Sequence, residues 1–137
     1  MALWLTLACA ASTSCFSKEP AVETASQSEP LAIVDVGYRV FDRLRCGACH
    51  SLDGRVLAAP TLKGLYGKPI VLSNGKTLIA DDEYIRRSIL DPKKELVRGY
   101  PPSMVSYEGQ VTRNEIDALI AMIRSLGEAP DRTGATE

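Results

Sequence analysis

The chain has a single histidine among its 137 residues. That excludes every metal site needing two or more imidazoles, and it leaves any Ser-His or Cys-His catalyst with His50 alone. An excess of charge is missing too, because 16 Lys and Arg face 17 Asp and Glu for a net −1. No basic field exists to hold a nucleic-acid backbone. Beyond the N-terminal stretch the chain also lacks any run of about 18 apolar residues that could cross a bilayer. A compact domain typically takes about 100–150 residues, so the length holds one domain with loose ends.

Three parts can be distinguished. Residues 1–16 are apolar and then small, which resembles the hydrophobic and cleavage regions of an export signal without its basic leader. Small residues precede Cys9 and Cys15, as in a bacterial lipoprotein box whose Cys becomes the lipidated N-terminus; a Cys9–Cys15 disulfide or two idle thiols are the alternatives. Residues 17–30 and 128–137 are rich in Ser, Glu, Pro and Ala with little to bury, and they read as a disordered tether and a flexible tail. The remaining domain, residues 31–127, carries 14 Lys and Arg against 11 Asp and Glu, so it is basic at +3 while the flanks hold −4.

Within the domain, two strong helices bracket a loop-rich middle. Ile33, Gly37, Val40, Phe41 and Leu44 recur at helical spacing and predict a first helix over Ile33 to Leu44. Glycine inside a helix costs about 1 kcal/mol relative to Ala, so Gly37 implies the close passage of another backbone. The last helix starts at Thr112, which forms a capping box with Glu115, and stops at Gly127. Its buried stripe is expected to be Ile116, Leu119, Ile120 and Ile123. A shorter helix over Asp82 to Leu90 is closed by Asp91-Pro92, since the residue before Pro avoids helical geometry. Asn74-Gly75 between Ile70-Val71-Leu72 and Thr77-Leu78-Ile79 signals a small hairpin. Elsewhere the middle is broken by Gly and Pro, and a segment with this little regular structure needs something to pack around.

Cys46-Gly-Ala-Cys49-His50 supplies a candidate, because Cys-x-x-Cys-His is the attachment pattern of c-type haem. Two thiols about one helical turn apart match two vinyl groups on one haem edge, and the next residue brings an imidazole to the iron. A thioredoxin-like pair would instead sit at a helix N-terminus after a strand. A zinc site would have to recruit Cys9 or Cys15 across the tether. Haem is the reading these residues favour, as one covalent haem c.

That group then selects further residues. The Nδ1–H of an iron-bound imidazole normally donates to a carbonyl, and Pro60, ten residues on, either provides it or is an ordinary turn proline. A soft neutral sixth ligand suits electron transfer, and besides Met1 the chain offers only Met104 and Met122. Met122 lies inside the last helix, where a gap-filling core role is expected. Met104 stands in a loop stiffened by Pro101 and Pro102, which lowers the entropy cost of holding a thioether on iron.

The stretch from Leu31 to Gly127 resembles a class I cytochrome c. The shared features, in family order, are Gly37-x-x-x-Phe41, Cys46-x-x-Cys49-His50, Pro60-x-Leu62 and a Met loop before a C-terminal helix. The strings Pro60-Thr-Leu-Lys-Gly-Leu-Tyr-Gly67, Tyr84-Ile-Arg-Arg-Ser-Ile-Leu-Asp-Pro92 and Gly99-Tyr-Pro-Pro-Ser-Met104 are similar, more narrowly, to two groups. These are the cytochrome c domains fused to subunit II of some haem-copper oxidases and the mono-haem subunit of alternative complex III, a quinol-oxidising membrane assembly. Two departures are Val105 where many relatives have Pro, and one extra residue between Phe41 and Cys46.

The resemblance implies an all-α fold of three to four helices wrapped around one covalent haem. It also implies a close crossing of the first and last helices at Gly37, thioether bonds at Cys46 and Cys49, iron ligation by His50 and Met104, and haem contacts at Pro60, Leu62 and Tyr100. The pocket is expected to be lined by Leu62, Leu65, Ile85, Ile89 and Ile120. Six-coordination would leave one-electron cycling as the chemistry, so an electron carrier is expected rather than an enzyme. Expected partners are other subunits or redox proteins of a membrane complex and a terminal oxidase or soluble acceptor, with export to the periplasmic or extracytoplasmic face and a lipid anchor to the membrane. Arg43, Arg45, Lys93, Lys94 and Arg98 are either a docking ring or a solvated surface. The alternatives are a free periplasmic cytochrome, an open-site haem enzyme or sensor, and a zinc or thiol-redox module.

Overall fold

A computed structural model describes residues 28–127 of the chain; the stretches read as an export signal and a tail, and most of the one read as a tether, with Cys9 and Cys15, lie outside the described residues. The elements in chain order are helix α1 (Ser28–Arg43), a 3-10 turn (Cys46–Ala48), strands β1 (Pro69–Val71) and β2 (Thr77–Ile79), and helices α2 (Asp82–Leu90) and α3 (Arg113–Ser125). Among the described residues no helix is long and apolar enough to cross a membrane.

Helix α1 starts at Ser28 rather than at the expected Ile33, so the last three residues of the stretch read as a tether are helical. Pro30 falls in the first turn, where its missing N–H has no helical partner to lose. Ile33 is correspondingly 39 % exposed, and the face turned inward carries Val34, Gly37, Val40, Phe41 and, past the helix end, Leu44.

Helix α3 crosses α1 at Gly37. A Cβ there would overlap the Ala118 carbonyl oxygen and stand 2.7 Å from Met122 Cβ. The glycine therefore buys backbone contact between the two helices that no other residue permits. Thr112 and Glu115 form the expected capping box: Glu115 N donates to Thr112 Oγ1 at 3.2 Å and Thr112 N to Glu115 Oε2 at 2.8 Å. Ile116, Leu119, Ile120, Met122 and Ile123 are all buried.

Helix α2 has the expected bounds, with the Asp81 carboxylate accepting from Tyr84 N at 2.7 Å as its N-cap. Two ion pairs tie α2 to α3, Arg86 to Asp117 and Asp82 to Arg124, each at 2.7 Å. The hairpin is present, shifted by one residue at β1, with Ile70 opposite Leu78. Its loop is Ser73-Asn74-Gly75, closed by Leu72 N donating to Lys76 O at 2.8 Å, and Gly75 takes the left-handed φ of 85° that this three-residue loop demands. Leu72 also forms a bridge with Val97 on its other side.

Candidate functional site

Helix α1 does not run into the cysteine motif directly. Arg45 adopts a left-handed conformation, φ 58°, and turns the chain so that Cys46–Ala48 forms a tight turn under the helix end. Within that turn Cys49 N and His50 N both donate to the Cys46 carbonyl, at 3.1 and 3.0 Å. Cys46 is half-buried and Cys49 exposed. Burial pushes the Cys46 thiol above its ordinary value, with a backbone hydrogen bond acting the other way.

The chain then doubles back, and two parallel sets of contacts bring residues ten apart together. His50 Nδ1 donates to the Pro60 carbonyl at 2.7 Å. A carbonyl can only accept, so the proton sits on Nδ1 and the Nε2 lone pair is left for a metal. Beside it the buried Ser51 hydroxyl lies 2.8 Å from Thr61 Oγ1 and 2.6 Å from the Arg55 carbonyl, while Leu62 N donates to Ser51 O. Burial lowers the His50 pKa, only partly offset by the Pro60 hydrogen bond, so the imidazole is neutral and able to ligate at pH 7.

His50 opens into a cleft that is continuous with solvent. Its walls are mostly apolar with a few polar groups among them, the usual make-up of a cofactor site. Cys46, His50, Pro60, Leu62, Tyr100 and Met104 all line it. Cys49, exposed on the outer side of the turn, does not. Of the expected apolar wall, Leu62, Leu65, Ile85 and Ile89 are present and Ile120 is not. Leu119 and Ile123, one turn apart on α3, take its place, because Ile120 lies about 100° further round the helix and faces Ile33 and Val34. Met122 is fully buried and does not reach the cleft.

The Met104 loop is pinned at three points that sequence reasoning missed. Ser106 Oγ donates to the Leu90 carbonyl, Tyr107 N to Ile89 O at 3.1 Å, and Tyr107 OH to Leu44 O at 3.0 Å. Two of these bonds hold the loop to the end of α2 and the third to the residue after α1. Ser88 lines the cleft from α2, one turn on from Tyr84, whose phenol it touches.

The donor set fits a haem. An imidazole with a free Nε2 and a thioether line one apolar cleft with a thiol at its edge, a combination suited to a soft-ligated iron in a porphyrin. Among the described residues no cluster of three or more His, Cys, Asp or Glu offers another metal site. No curated protein matches the chain. Residues 34–127, however, match the family described as Cytochrome c. The match covers well over half of the chain, and the protein belongs to the cytochrome c family, whose members bind covalent c-type haem and carry electrons with it.

Proposed function

We propose that this protein is a monohaem single-electron carrier with His50 and Met104 as axial ligands and thioether bonds at Cys46 and Cys49. The observation that carries this reading is that a Pro60-oriented imidazole and a loop-borne methionine line the same cleft. When bound, the haem supplies a one-electron Fe(II)/Fe(III) couple. The Pro60 carbonyl holds His50 in the tautomer that ligates and strengthens it as a donor. The bonds from Ser106 and Tyr107 hold the Met104 loop at the cleft, where its thioether would occupy the iron and keep small molecules off it. Leu62, Leu65, Ile85 and Ile89 exclude water, which disfavours the more highly charged oxidised state and raises the potential.

The sequence strings that resemble the mono-haem subunit of alternative complex III support placing the carrier in a quinol-oxidising membrane complex. On this reading it is exported, sits at the extracytoplasmic face and is held to the membrane through Cys9 or Cys15, passing electrons to an oxidase or a soluble acceptor. The basic domain steers it weakly toward acidic partners, an attraction that salt diminishes.

The ligand assignment is tested by the sulfur-to-iron charge-transfer band of the oxidised protein. Met104→Ala is expected to abolish it and let carbon monoxide bind the reduced form; Met122→Ala is expected to keep the band while destabilising the fold by about 2–5 kcal/mol. The reverse pattern overturns the assignment. Purification from native membranes tests the complex: a chain that emerges alone and unlipidated refutes that part.

A further inference from the structure

We propose that the Arg87–Glu95 ion pair sets the redox equilibrium of this protein, Glu95 being the charge the cleft feels and Arg87 the group that cancels it. The inference rests on the cleft being the haem cleft and is independent of which methionine is the ligand.

Among the described residues, Glu95 is the only carboxylate that lines the cleft, and no Lys or Arg lines it. Its side chain is 18 % exposed, and its two oxygens accept from Arg87 Nε at 3.1 Å and Nη2 at 3.3 Å. Arg87 sits further out, its side chain 37 % exposed, on α2. The two-pronged contact fixes the carboxylate against the wall with its counter-charge on the solvent side. In a partly exposed pair the attraction is largely offset by desolvation and side-chain ordering, so folding alone is a weak reason for placing a carboxylate in the cleft wall here.

The field of the pair reaches inward. Burial raises the pKa of the Tyr84 phenol, which also lines the cleft, a Ser88 hydrogen bond works against that rise, and beyond these Glu95 adds to it while Arg87 opposes it. The oxidised centre carries one positive charge more than the reduced one. A carboxylate in the wall therefore favours the oxidised state, and a guanidinium behind it favours the reduced state. As Glu95 is the nearer of the two to the cleft, removing either partner alone should move the equilibrium, in opposite directions.

The test is an equilibrium redox titration at pH 7 of the haem-loaded full chain, read at the visible haem bands. Glu95→Gln, which keeps the side-chain shape, is expected to shift the reduced-to-oxidised equilibrium at least threefold toward reduced. Arg87→Gln is expected to shift it at least threefold toward oxidised, each change equal to about 28 mV at 59 mV per tenfold. Arg87→Lys keeps the charge and is expected to move it less than threefold. Shifts of the same sign in the two Gln variants, or less than threefold in either, overturn the proposal. If Arg87→Gln does not load haem, Glu95→Gln alone decides: a threefold shift toward reduced upholds the proposal and anything less overturns it. Haem content and the charge-transfer band, recorded on the same samples, report separately on attachment and on Met104 ligation.

Discussion

Gly37→Ala asks the most of the fold with the smallest change. One added methyl would overlap the Ala118 carbonyl oxygen and stand 2.7 Å from Met122 Cβ and 2.9 Å from the Ala118 carbonyl carbon. The first and third of these atoms are α3 backbone, which no rotamer change can move. Relief requires α1 and α3 to part by roughly 0.5–1 Å, a gap that forfeits about a quarter to a half of each dispersion contact along the seam. Val40, Phe41, Leu119, Met122 and Ile123 are all buried in the core that this seam helps build, so overpacking should reach the upper end of its usual range, about 3 kcal/mol. Replacing helical Gly by Ala returns about 1 kcal/mol of backbone propensity, leaving a net loss near 2 kcal/mol. With a urea slope of about 1–3 kcal/mol per molar, the unfolding midpoint of the haem-loaded protein should fall by about 1 M, followed by far-ultraviolet circular dichroism. A midpoint at or above the wild type would refute the close crossing as the reason for Gly37.

One contact beside the cleft and one between α2 and α3 give two further outcomes. Tyr107→Phe removes the hydrogen bond to Leu44 O and should cost about 0.5–1.5 kcal/mol, while the charge-transfer band bleaches at a lower temperature than in the wild type; an unchanged bleaching temperature would show that this bond does not hold the Met104 loop. The Arg124 guanidinium, with Tyr66 beside it, holds the Asp82 carboxyl below its ordinary 3.8. A depressed carboxylate adds stability that is complete above the ordinary value and lost as pH falls through the lower folded value. Asp82→Asn should therefore be less stable than the wild type at pH 7 by under about 1 kcal/mol, since the pair is half-exposed, and the gap should close as the pH falls past 3.8 and through the lower folded value. Urea midpoints at pH 7 and through the acid range decide it, and a gap that widens in acid contradicts the assignment.

What could be read in the sequence was local. The Thr112–Glu115 box, the Asp91-Pro92 stop of α2, the Asn74-Gly75 turn and the cysteine motif each depend on residues within a few positions of one another, where periodicity and turn chemistry act directly. Gly37 was readable because glycine within a helical stripe is costly and calls for a reason. The start of α1 escapes a reading by apolar periodicity, because Ser28, Glu29 and Pro30 add nothing to its buried stripe, yet a first turn tolerates Pro30. Ile120 was misassigned because a stripe of buried α3 residues covers two walls, one against α1 and one against the cleft, and hydrophobicity does not distinguish them. The Ser51–Thr61 contact, the bond from Tyr107 to Leu44 and the Arg87–Glu95 pair have no local signature. They join residues 10, 63 and 8 positions apart, and only the packed loops bring them together.

The two halves of the candidate site are built on different principles, and this bears on how it would fail. On the His50 side, the turn at Cys46–Ala48, the ten-residue return to Pro60 and the buried Ser51 form a closed hydrogen-bonded unit, to which two thioether bonds would add covalent restraint. On the Met104 side, Pro101, Pro102, Ser103 and Val105 are exposed, and the loop depends on the three bonds made by Ser106 and Tyr107. Segments with few buried contacts open at free energies well below global unfolding. Heat or denaturant should thus detach Met104 while α1, α3 and the His50 unit are still folded, so the charge-transfer band should disappear before the helical signal falls. Coincident loss of the two signals would mean that the loop and the helical core unfold as one unit, and that the three bonds hold Met104 as firmly as the α1–α3 seam holds the helices.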